Sequence, residues 1–268
     1  MIDIHSHIIP GIDDGSSDMS ESIEMLREAA RGGVTLIVAT PHCFSHSRSP
    51  RTPEIARGLE KLAEAASSDK DASKVKLAMG AEIMLDPGVR EVLDQGGIPP
   101  LGGRGVHILV ELPILSVPKY TENTLFQLKA YGYVPIIAHP ERNHELSQDL
   151  DMLCHLINMG VLVQMDAGSI VGAYGRTTET SALTILNCRM CHFVASDAHR
   201  SGAYRRLLPG ARRRVASLSG EETANALFRE NPMAVLEGRT PEIPEPIAPS
   251  KPKRRRGLAE LFKMLRGK

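Results

Sequence analysis

Residues 1–7, Met-Ile-Asp-Ile-His-Ser-His, begin the chain as a short apolar β-strand pattern that runs directly into two histidines. Side chains two positions apart on a strand point to the same side of the sheet, so His5 and His7 are placed to bind one metal ion. The pair alone is weak evidence for a metal. It gains weight only if other strands also end in ligand residues.

Short apolar runs rich in β-branched residues recur between amphipathic segments along the chain. A helix is predicted over Ser22–Arg31, for example, with Ile23 and Leu26 on one face. Alternation of this kind favours a parallel sheet, either open and doubly wound or closed, and 268 residues suit one α/β barrel. We favour a single-domain barrel of seven strands. The predicted strands are Met1–Ile4, Val34–Thr40, Val75–Glu82, Val106–Leu112, Tyr133–Ala138, Val161–Asp166 and His192–Ser196.

Composition indicates a globular protein with an uneven charge distribution. Hydrophobic residues make up 42% of the chain, enough for a large core, and no apolar run reaches the roughly 18 to 20 residues of a membrane span. The chain shows no signal-peptide pattern, and its four cysteines are too few for a disulfide framework. These features predict a cytoplasmic protein.

Three regions are predicted: a barrel over 1–240, a proline-rich linker over 241–250 and a basic amphipathic tail over 251–268. The formal net charge is 0, but the tail holds eight Lys/Arg and one Glu, which leaves twenty-four basic and thirty-one acidic residues before it. The tail either contacts an anionic membrane surface or an acidic partner, or is a solvated terminus. Because the body is acidic and carries no recognised nucleic-acid motif, no nucleic acid is predicted as a partner.

Metal-ligand residue types stand at the ends of five predicted strands. Active sites of parallel barrels lie at the C-terminal ends of the strands, where the following loops converge. Five imidazoles and three carboxylates exceed what one tetrahedral ion uses, so we predict two or three ions. Nitrogen and oxygen donors without thiolate suit Mn, Fe(II) or Zn. The predicted metal ligands are His5, His7, Asp14, His42, Glu82, His139, Asp197 and His199.

Arginines near these residues suggest a phosphate substrate. Arg142 follows His139 by three residues, and its planar fork suits phosphate oxygens. Arg200, Arg205 and Arg206 follow the last ligand pair and compete for a similar role, the alternative for each being a solvated surface position. Ions bridged by a carboxylate and a hydroxide would supply both Lewis acid and nucleophile, which predicts a phosphoesterase.

Two cysteine motifs offer other interpretations. His42-Cys43 begins the His-Cys-x5-Arg pattern of cysteine-dependent phosphatases, but Ser49 occupies the arginine position and Arg48 comes one residue early. The segment Cys188-Arg-Met-Cys-His192 matches the c-type haem attachment string, which would require export. We interpret that segment as a helix end entering the last strand.

The ligand segments resemble the PHP (polymerase and histidinol phosphatase) superfamily, and within it the bacterial capsule- and exopolysaccharide-linked tyrosine-protein phosphatases. The resemblance implies a distorted seven-stranded β/α barrel, a three-metal centre usually filled with Mn2+, and phosphotyrosine as substrate. It also implies a membrane-anchored bacterial tyrosine kinase as partner and a location at the inner face of the plasma membrane. The segments are Asp3-Ile-His-Ser-His-Ile-Ile-Pro-Gly-Ile-Asp-Asp-Gly15, Ala39-Thr-Pro-His42, Gly80-Ala-Glu82, His139-Pro-Glu-Arg142 and Ser196-Asp-Ala-His199.

The resemblance also implies a role for each matching residue. Arg142 matches a phosphate-binding arginine, and a second such arginine is expected at Arg205 or Arg206. For the reaction itself we expect either a metal ion or a protonated acid near Asp14 to assist the departing tyrosyl oxygen. The ligand sets implied are His5, His7, Glu82 and Asp197 for one ion, Glu82 and His139 for a second, and Asp14, His42 and His199 for a third.

Two other functions were weighed against this one. A phosphatase for histidinol phosphate or a nucleotide would use the same ligands around a different pocket. A non-enzymatic module that docks on a kinase would be expected to lack ligands, and all eight are present in this chain.

Overall fold

The computed structural model describes residues 1–46 and 48–248, and its strands fall where the sequence predicts them, except that β3 lies beyond the predicted strand end at Thr40. All strand pairs are parallel. The strands are β1 (Ile2–Ser6), β2 (Leu36–Ala39), β3 (His42–Cys43), β4 (Lys76–Met79), β5 (Glu82–Met84), β6 (His107–Glu111), β7 (Val134–Ala138), β8 (Leu162–Asp166) and β9 (Phe193–Ala195).

Two of the seven predicted strands are each broken into two pieces. A first sheet has the order β1-β2-β4, and a second has the order β3-β5-β6-β7-β8-β9. The break between β2 and β3 falls at Thr40-Pro41, where proline has no N–H for the ladder. The break between β4 and β5 falls at Gly80-Ala81. Each of these two chain segments therefore contributes one short strand to the first sheet and one to the second. This division distorts the barrel, as the family resemblance implies.

Backbone hydrogen bonds connect the last strand segment to the first. The amide of Asp197 donates to the carbonyl of His5 at 3.0 Å, and the amide of His7 donates to the carbonyl of Ala198 at 3.0 Å. A parallel bridge between Ser6 and Ala198 accompanies them. These bonds join the end of β1 to the residues just after β9, and the predicted single-domain α/β fold with parallel strands is confirmed.

Strand β1 carries an irregularity that redirects His5. Its pairing with β2 shifts by one residue between Asp3 and Ser6. Ile4 packs in the cluster formed by the inward-facing residues of the other strands, and the next residue, His5, also reaches inward to Gln164. Two successive side chains point to one side only where a bulge interrupts the alternation. The bulge thus delivers His5 to the site.

Helices surround the strands, and the first begins earlier than predicted. The Asp18 carboxylate accepts the Glu21 amide at 3.0 Å and caps the helix, so it starts at Met19 instead of Ser22. The helices are α1 (Met19–Arg31), α2 (Thr52–Ser67), α3 (Val89–Asp94), α4 (Thr121–Ala130), α5 (Leu150–Asn158), α6 (Ala167–Ile170), α7 (Arg176–Asn187), α8 (Leu208–Ser219), α9 (Glu221–Asn225) and α10 (Asn231–Leu236), with π-helical turns at Ala203–Leu207 and Ala226–Glu230.

The proline-rich segment after α10 lies against the barrel. Ile243 packs beside Val235 on the inner apolar cluster, and the Ile247 amide donates to the Cys188 carbonyl at 2.8 Å. The basic tail and its predicted contacts lie outside the described residues, so the division into barrel, linker and tail stays a prediction. Within the described part of the chain, no helix is long and apolar enough to cross a membrane.

Candidate metal centre

The predicted ligands converge at the C-terminal ends of the strands. His5, His7, Glu82 and Asp197 are all buried, and their ligand atoms lie within 4.8 Å of one another. His5 Nε2 lies 3.2 Å from Glu82 Oε2, and His7 Nε2 lies 3.3 Å from Asp197 Oδ1. A second group with the same spacing adjoins the first and contains His7, Asp14, His42 and His199.

The tautomers of His5 and His7 provide a direct test of whether this site fits a metal. His5 Nδ1 faces Gln164 Oε1 at 2.8 Å, and His7 Nδ1 faces Asp13 Oδ2 at 2.7 Å. Both partners are acceptors, so both Nδ1 atoms carry the proton and the neutral rings have their lone pairs on Nε2. These two Nε2 atoms are 3.2 Å apart. Two facing lone pairs need a cation between them, so the residues fit a metal ion.

The carboxylate of Glu82 lies at the centre of the cluster and indicates the same chemistry. Its Oε2 has His5, His7 and His42 nitrogens at 3.0 to 3.3 Å, yet it makes no hydrogen bond of acceptable geometry among the described residues. Ligand atoms that share an ion at 2.0–2.1 Å are themselves about 3.0 to 3.4 Å apart. Its Oε1 contacts His139 Nε2 at 3.0 Å. Glu82 is therefore positioned to supply carboxylate oxygens to a bound cation.

Sequence reasoning missed Glu111. This residue ends β6, and together with His42 and Glu82 it forms a third group with metal-ligand spacing. It lies 3.8 Å from His139 Nε2. Burial and the neighbouring Glu82 raise the pKa of the Glu111 carboxyl. The signal was available, because Glu111 stands at a strand end just as the predicted ligands do.

Without an ion, protons are attracted to the same atoms. Burial alone would lower the pKa of His5, but the carboxylates of Glu82 and Asp197 outweigh it and raise that pKa to about 9. The pKa of Glu82 lies well below its usual value because the surrounding imidazoles outweigh its burial. Metal ions compete with protons for these ligands, so metal binding here releases protons.

Two of the ligand residues adopt a backbone conformation that non-glycine residues rarely use. His139 has φ 33° and Asp197 has φ 48°, both in the left-handed region. Such residues cost on the order of 1–3 kcal/mol each and persist where the surrounding structure fixes them. The His139 amide donates to the Gln164 carbonyl at 2.8 Å. The strain places both ligands immediately beyond their strands.

Arg142 lies at the edge of the cluster, as predicted. Its Nη1 contacts Asp166 Oδ2 at 3.2 Å and also donates to Asp197 Oδ2. Its guanidinium lies over the ring of Tyr174, 5.0 Å from the ring centroid. A cation and an aromatic ring thus stand together beside a ligand carboxylate.

The arginines after His199 are placed differently from the prediction. Tyr204 is buried and donates to Asp3 Oδ2 at 2.7 Å, so its neighbours Arg205 and Arg206 are left on the outside. Arg205 lines a surface cavity with Glu28, Arg31 and Arg213, near the C-terminal end of α1. This position does not bring it to the metal residues.

Arg200 is the arginine of this segment that reaches the cluster. Its Nη1 donates to the carbonyl of Gly15 and lies 3.4 Å from the carbonyl of Asp14. The side chain therefore lies beside the second ligand group.

The family model described as "Capsular polysaccharide synthesis, CpsB/CapC" matches residues 1–237. The chain belongs to the CpsB/CapC family. Tyrosine-protein phosphatase YwqE of Bacillus subtilis is 36% identical over 199 residues, covering 74% of this chain and 77% of YwqE. Tyrosine-protein phosphatase CpsB of Streptococcus agalactiae serotype III is 30% identical over 245 residues, covering 88% and 98%. The predicted resemblance to the capsule-linked branch is confirmed.

Solved structures agree with this membership. A crystal structure from work on YwqE of Bacillus subtilis and CpsB of Streptococcus pneumoniae, described as metal-dependent tyrosine phosphatases, matches with a TM-score of 0.88 and 32% identity. It covers 94% of this chain and 100% of that chain. Histidinol phosphate phosphatase of Lactococcus lactis, bound to Zn, matches with a TM-score of 0.51 and 13% identity, which shows a shared fold alone.

The cysteines of this CpsB/CapC family member are part of the packed structure. Burial raises the pKa of the Cys43 thiol to about 12, and its Sγ donates to the Pro50 carbonyl. A thiol with that pKa provides almost no thiolate nucleophile near neutral pH. Cys188 and Cys191 are free and buried between α7 and β9, in agreement with a helix end that enters the last strand.

Proposed function

We propose that this protein is a metal-dependent protein-tyrosine phosphatase. The observation that carries the proposal is the pair of facing Nε2 lone pairs on His5 and His7, placed beside a bridging carboxylate and an arginine. Divalent ions at such a site act as Lewis acids and lower the pKa of bound water from about 15.7 towards 7. The named activity of the CpsB and YwqE relatives supports phosphotyrosine as the substrate.

We propose three ion positions. The spacing of the ligand atoms supports three sets, two of which share Glu82, with Glu111 added to the set expected from the sequence. The nitrogen and oxygen donors suit Mn2+ and equally admit Fe or Zn. X-ray anomalous scattering from crystals grown with each metal would give the number and the identity of the bound ions. The sets are His5, His7, Glu82 and Asp197, then Glu82, Glu111 and His139, then Asp14, His42 and His199.

The residues of the chain have three tasks in this reaction. Arg142 binds the non-bridging phosphate oxygens with the N–H groups that Asp166 and Asp197 leave available, and these carboxylates fix its orientation. The ring of Tyr174, stacked on Arg142, gives the substrate phenyl ring an aromatic surface. Asp14 is 69% exposed and lies between His42 and His199, where it would help to hold an ion that stabilises the departing tyrosyl oxygen.

The protein substrate we propose is a membrane-anchored bacterial tyrosine kinase of capsule or exopolysaccharide synthesis. The family description, which refers to capsular polysaccharide synthesis, supports this choice. Such a substrate would place the enzyme in the cytoplasm at the inner face of the membrane. We also propose that the basic tail contacts that membrane. Pelleting of the protein with anionic liposomes, measured with and without residues 250–268, tests this contact. Equal pelleting of the two proteins would contradict it.

Phosphate release from defined substrates tests the activity. We expect Mn-loaded protein to dephosphorylate a tyrosine-phosphorylated peptide and to leave the matching phosphoserine peptide and histidinol phosphate almost unchanged. A small aryl phosphate does not discriminate, because each of these enzymes hydrolyses it. Hydrolysis of histidinol phosphate without any release from the phosphotyrosine peptide would contradict the proposal.

A further inference from the structure

A surface groove of about 880 Å3 is lined by residues that lie close in sequence to the predicted ligands His7, Asp14 and His42. It runs between the loop that follows β1 and the first turns of α2. We call it the basic groove and define it by three cations and three apolar side chains. These are Arg48, Arg57 and Lys61, with Ile9, Ile12 and Met19.

The cations of the basic groove are not neutralised by the protein itself. Arg57 and Lys61 are one turn apart on the same face of α2, and both are exposed. Within residues 1–46 and 48–248, no ion pair joins either of them or Arg48 to a carboxylate. Arg57 Nε donates only to the Pro53 carbonyl, at 3.1 Å. Glu54 also lines the groove, but its carboxylate accepts the Arg51 amide at 3.0 Å.

The shape of the groove is fixed by close packing and by anchored loops. Gly58 lets α2 approach the floor, since a Cβ there would lie 2.5 Å from Ile9 Cγ2. Arg51 donates to the Phe44 carbonyl at 3.0 Å and to Ser49 Oγ at 2.6 Å, which fixes the second wall. The groove is therefore preformed.

Both walls of the groove are continuous with metal-ligand segments. The floor residues Ile9 and Ile12 lie between His7 and Asp14 in the chain, and the loop that carries Arg48 follows β3, which begins at His42. A chain whose phosphorylated residue lies at the metal residues would therefore have its neighbouring residues directed along the groove.

We propose that the basic groove binds an acidic segment next to the phosphotyrosine of a peptide substrate. The inference rests on the proposed phosphatase function and names the kind of sequence that this site prefers. Outside the tail the chain is acidic overall, so an acidic peptide is repelled except where the local charge is reversed. The apolar floor accommodates side chains that alternate with the acidic ones.

Two phosphotyrosine peptides that differ only in charge test this proposal. One carries Asp and Glu on both sides of the phosphotyrosine, and the other carries Asn and Gln at the same positions. With the Mn-loaded full chain we expect KM to be about 3- to 10-fold lower for the acidic peptide, with the same kcat, and the difference to shrink at high salt. Equal KM values would overturn the proposal.

Matched charge variants assign the preference to the groove. Arg57→Gln with Lys61→Gln should abolish the difference in KM and leave hydrolysis of p-nitrophenyl phosphate unchanged. Lys70→Gln with Lys76→Gln removes two exposed cations outside the groove lining and should keep the difference. An equal effect of both double variants, or loss of p-nitrophenyl phosphate hydrolysis in the first, would overturn the proposal.

A binding measurement separates the groove from the catalytic proposal. Fluorescence anisotropy of a labelled acidic peptide without phosphate should show binding that the Arg57 and Lys61 variants weaken. If this peptide binds but no phosphotyrosine peptide is hydrolysed, the phosphatase proposal fails, and with it the substrate named for the groove. If single-stranded DNA or anionic vesicles displace the peptide at lower concentration than the unlabelled peptide does, the groove binds a different class of partner and the proposal is wrong.

Discussion

Two sets of histidines in this barrel are equally buried and titrate in opposite directions. His5 and His192 are both 0% exposed. Burial lowers the pKa of His192 to about 4 and also lowers the pKa of His107. The same burial acts on His5, yet the carboxylates of Glu82 and Asp197 raise its pKa to about 9.

The difference lies in the partners of each ring. His192 Nδ1 accepts the Val163 amide at 2.9 Å, and its Nε2 has no hydrogen-bond partner among the described residues. Neither ring nitrogen of His107 has one within that part of the chain. Burial alone thus produces a neutral histidine with a structural role. Convergent carboxylates make an equally buried histidine suited to bind a cation.

Among the changes that test this difference between buried histidines, removal of the Glu82 carboxylate should have the largest effect. Glu82→Gln keeps the size of the side chain and removes the charge shared by His5, His42 and His139. We expect metal content to fall and phosphatase activity to drop by at least roughly 10²- to 10³-fold. Elemental analysis and phosphate release measure the two effects.

Asp3→Asn is the matched control for this change. Asp3 is also fully buried, but its carboxylate accepts from Ser196, Tyr204 and the backbone amide of His5, and not from the ring nitrogens of the predicted ligands. This variant should lose stability and retain its metal. If Glu82→Gln keeps full metal content, the bridging role assigned to Glu82 is wrong.

The free energy of unfolding of the metal-free protein should depend on pH through both His5 and His192. The folded-state pKa of His5, about 9, exceeds the unfolded value of 6.5, so its stabilisation is complete below pH 6.5 and is lost as the pH rises through 9. The pKa of His192, about 4, is depressed, so its contribution is complete above pH 6.5 and is lost as the pH falls through 4. Each group accounts for about 3 kcal/mol.

Urea unfolding across this pH range gives the measurement. Metal-free protein should be most stable near pH 6.5, where the two contributions overlap. Adding Mn2+ should remove the loss at high pH, since the ion replaces the proton on the ligands. A metal-free protein that becomes steadily more stable up to pH 9 would contradict the assignment for His5.

A smaller effect is expected at the residue that orients His5. Gln164→Leu removes the acceptor that faces His5 Nδ1 at 2.8 Å, and Gln164→Glu retains an oxygen there. Loss of such a partner typically weakens metal affinity by about 10- to 100-fold. Competition with a fluorescent chelator should show this loss for the Leu variant and a much smaller one for the Glu variant. Equal affinities in both variants would mean that the ring is fixed by other contacts.

The smallest expected change is on the structural side of the comparison. His107→Leu removes two buried ring nitrogens that lack partners among the described residues and should raise the free energy of unfolding by about 1 kcal/mol. His192→Leu removes the acceptor for the Val163 amide and should lower it. Thermal unfolding of the two variants should therefore shift in opposite directions. Destabilisation by both would show that His107 also has a bonding role.

The sequence alone predicted the fold and most of the cluster for a clear physical reason. Parallel strands are buried on both faces, so they appear as apolar runs, and polar residues that follow such runs lie at one end of the barrel. His5, His42, Glu82 and Asp197 all fit that rule, and the structure brings them together. The family resemblance added the substrate class, which the pattern does not contain.

The residues that were missed depend on features that spacing does not reveal. Gln164 lies inside the strand β8, and its role appears only once the bulge in β1 turns His5 towards it. Arg205 was expected near the ligands because it follows His199 closely in the sequence. The side chain of its neighbour Tyr204 is buried, and this leaves Arg205 on the outside of the fold. Glu111 is a different case. It lies at a strand end, as the predicted ligands do, so the same pattern indicated it, but it was not included among them.

The pairing of the first strand with the last segment of the sheet has a consequence for how the protein is made. The backbone bonds that join Asp197 to His5 and Ala198 to His7 connect the first strand to one that the ribosome adds about 190 residues later. Until that strand arrives, the nascent chain contains histidines without the carboxylate that completes their ion site. Because chains fold from the N-terminus during synthesis, an ion that requires Asp197 as a ligand would bind only after β9 has been made. A truncated product that stops before β9 would be released without its metal and would be distinguishable from the complete enzyme by that property.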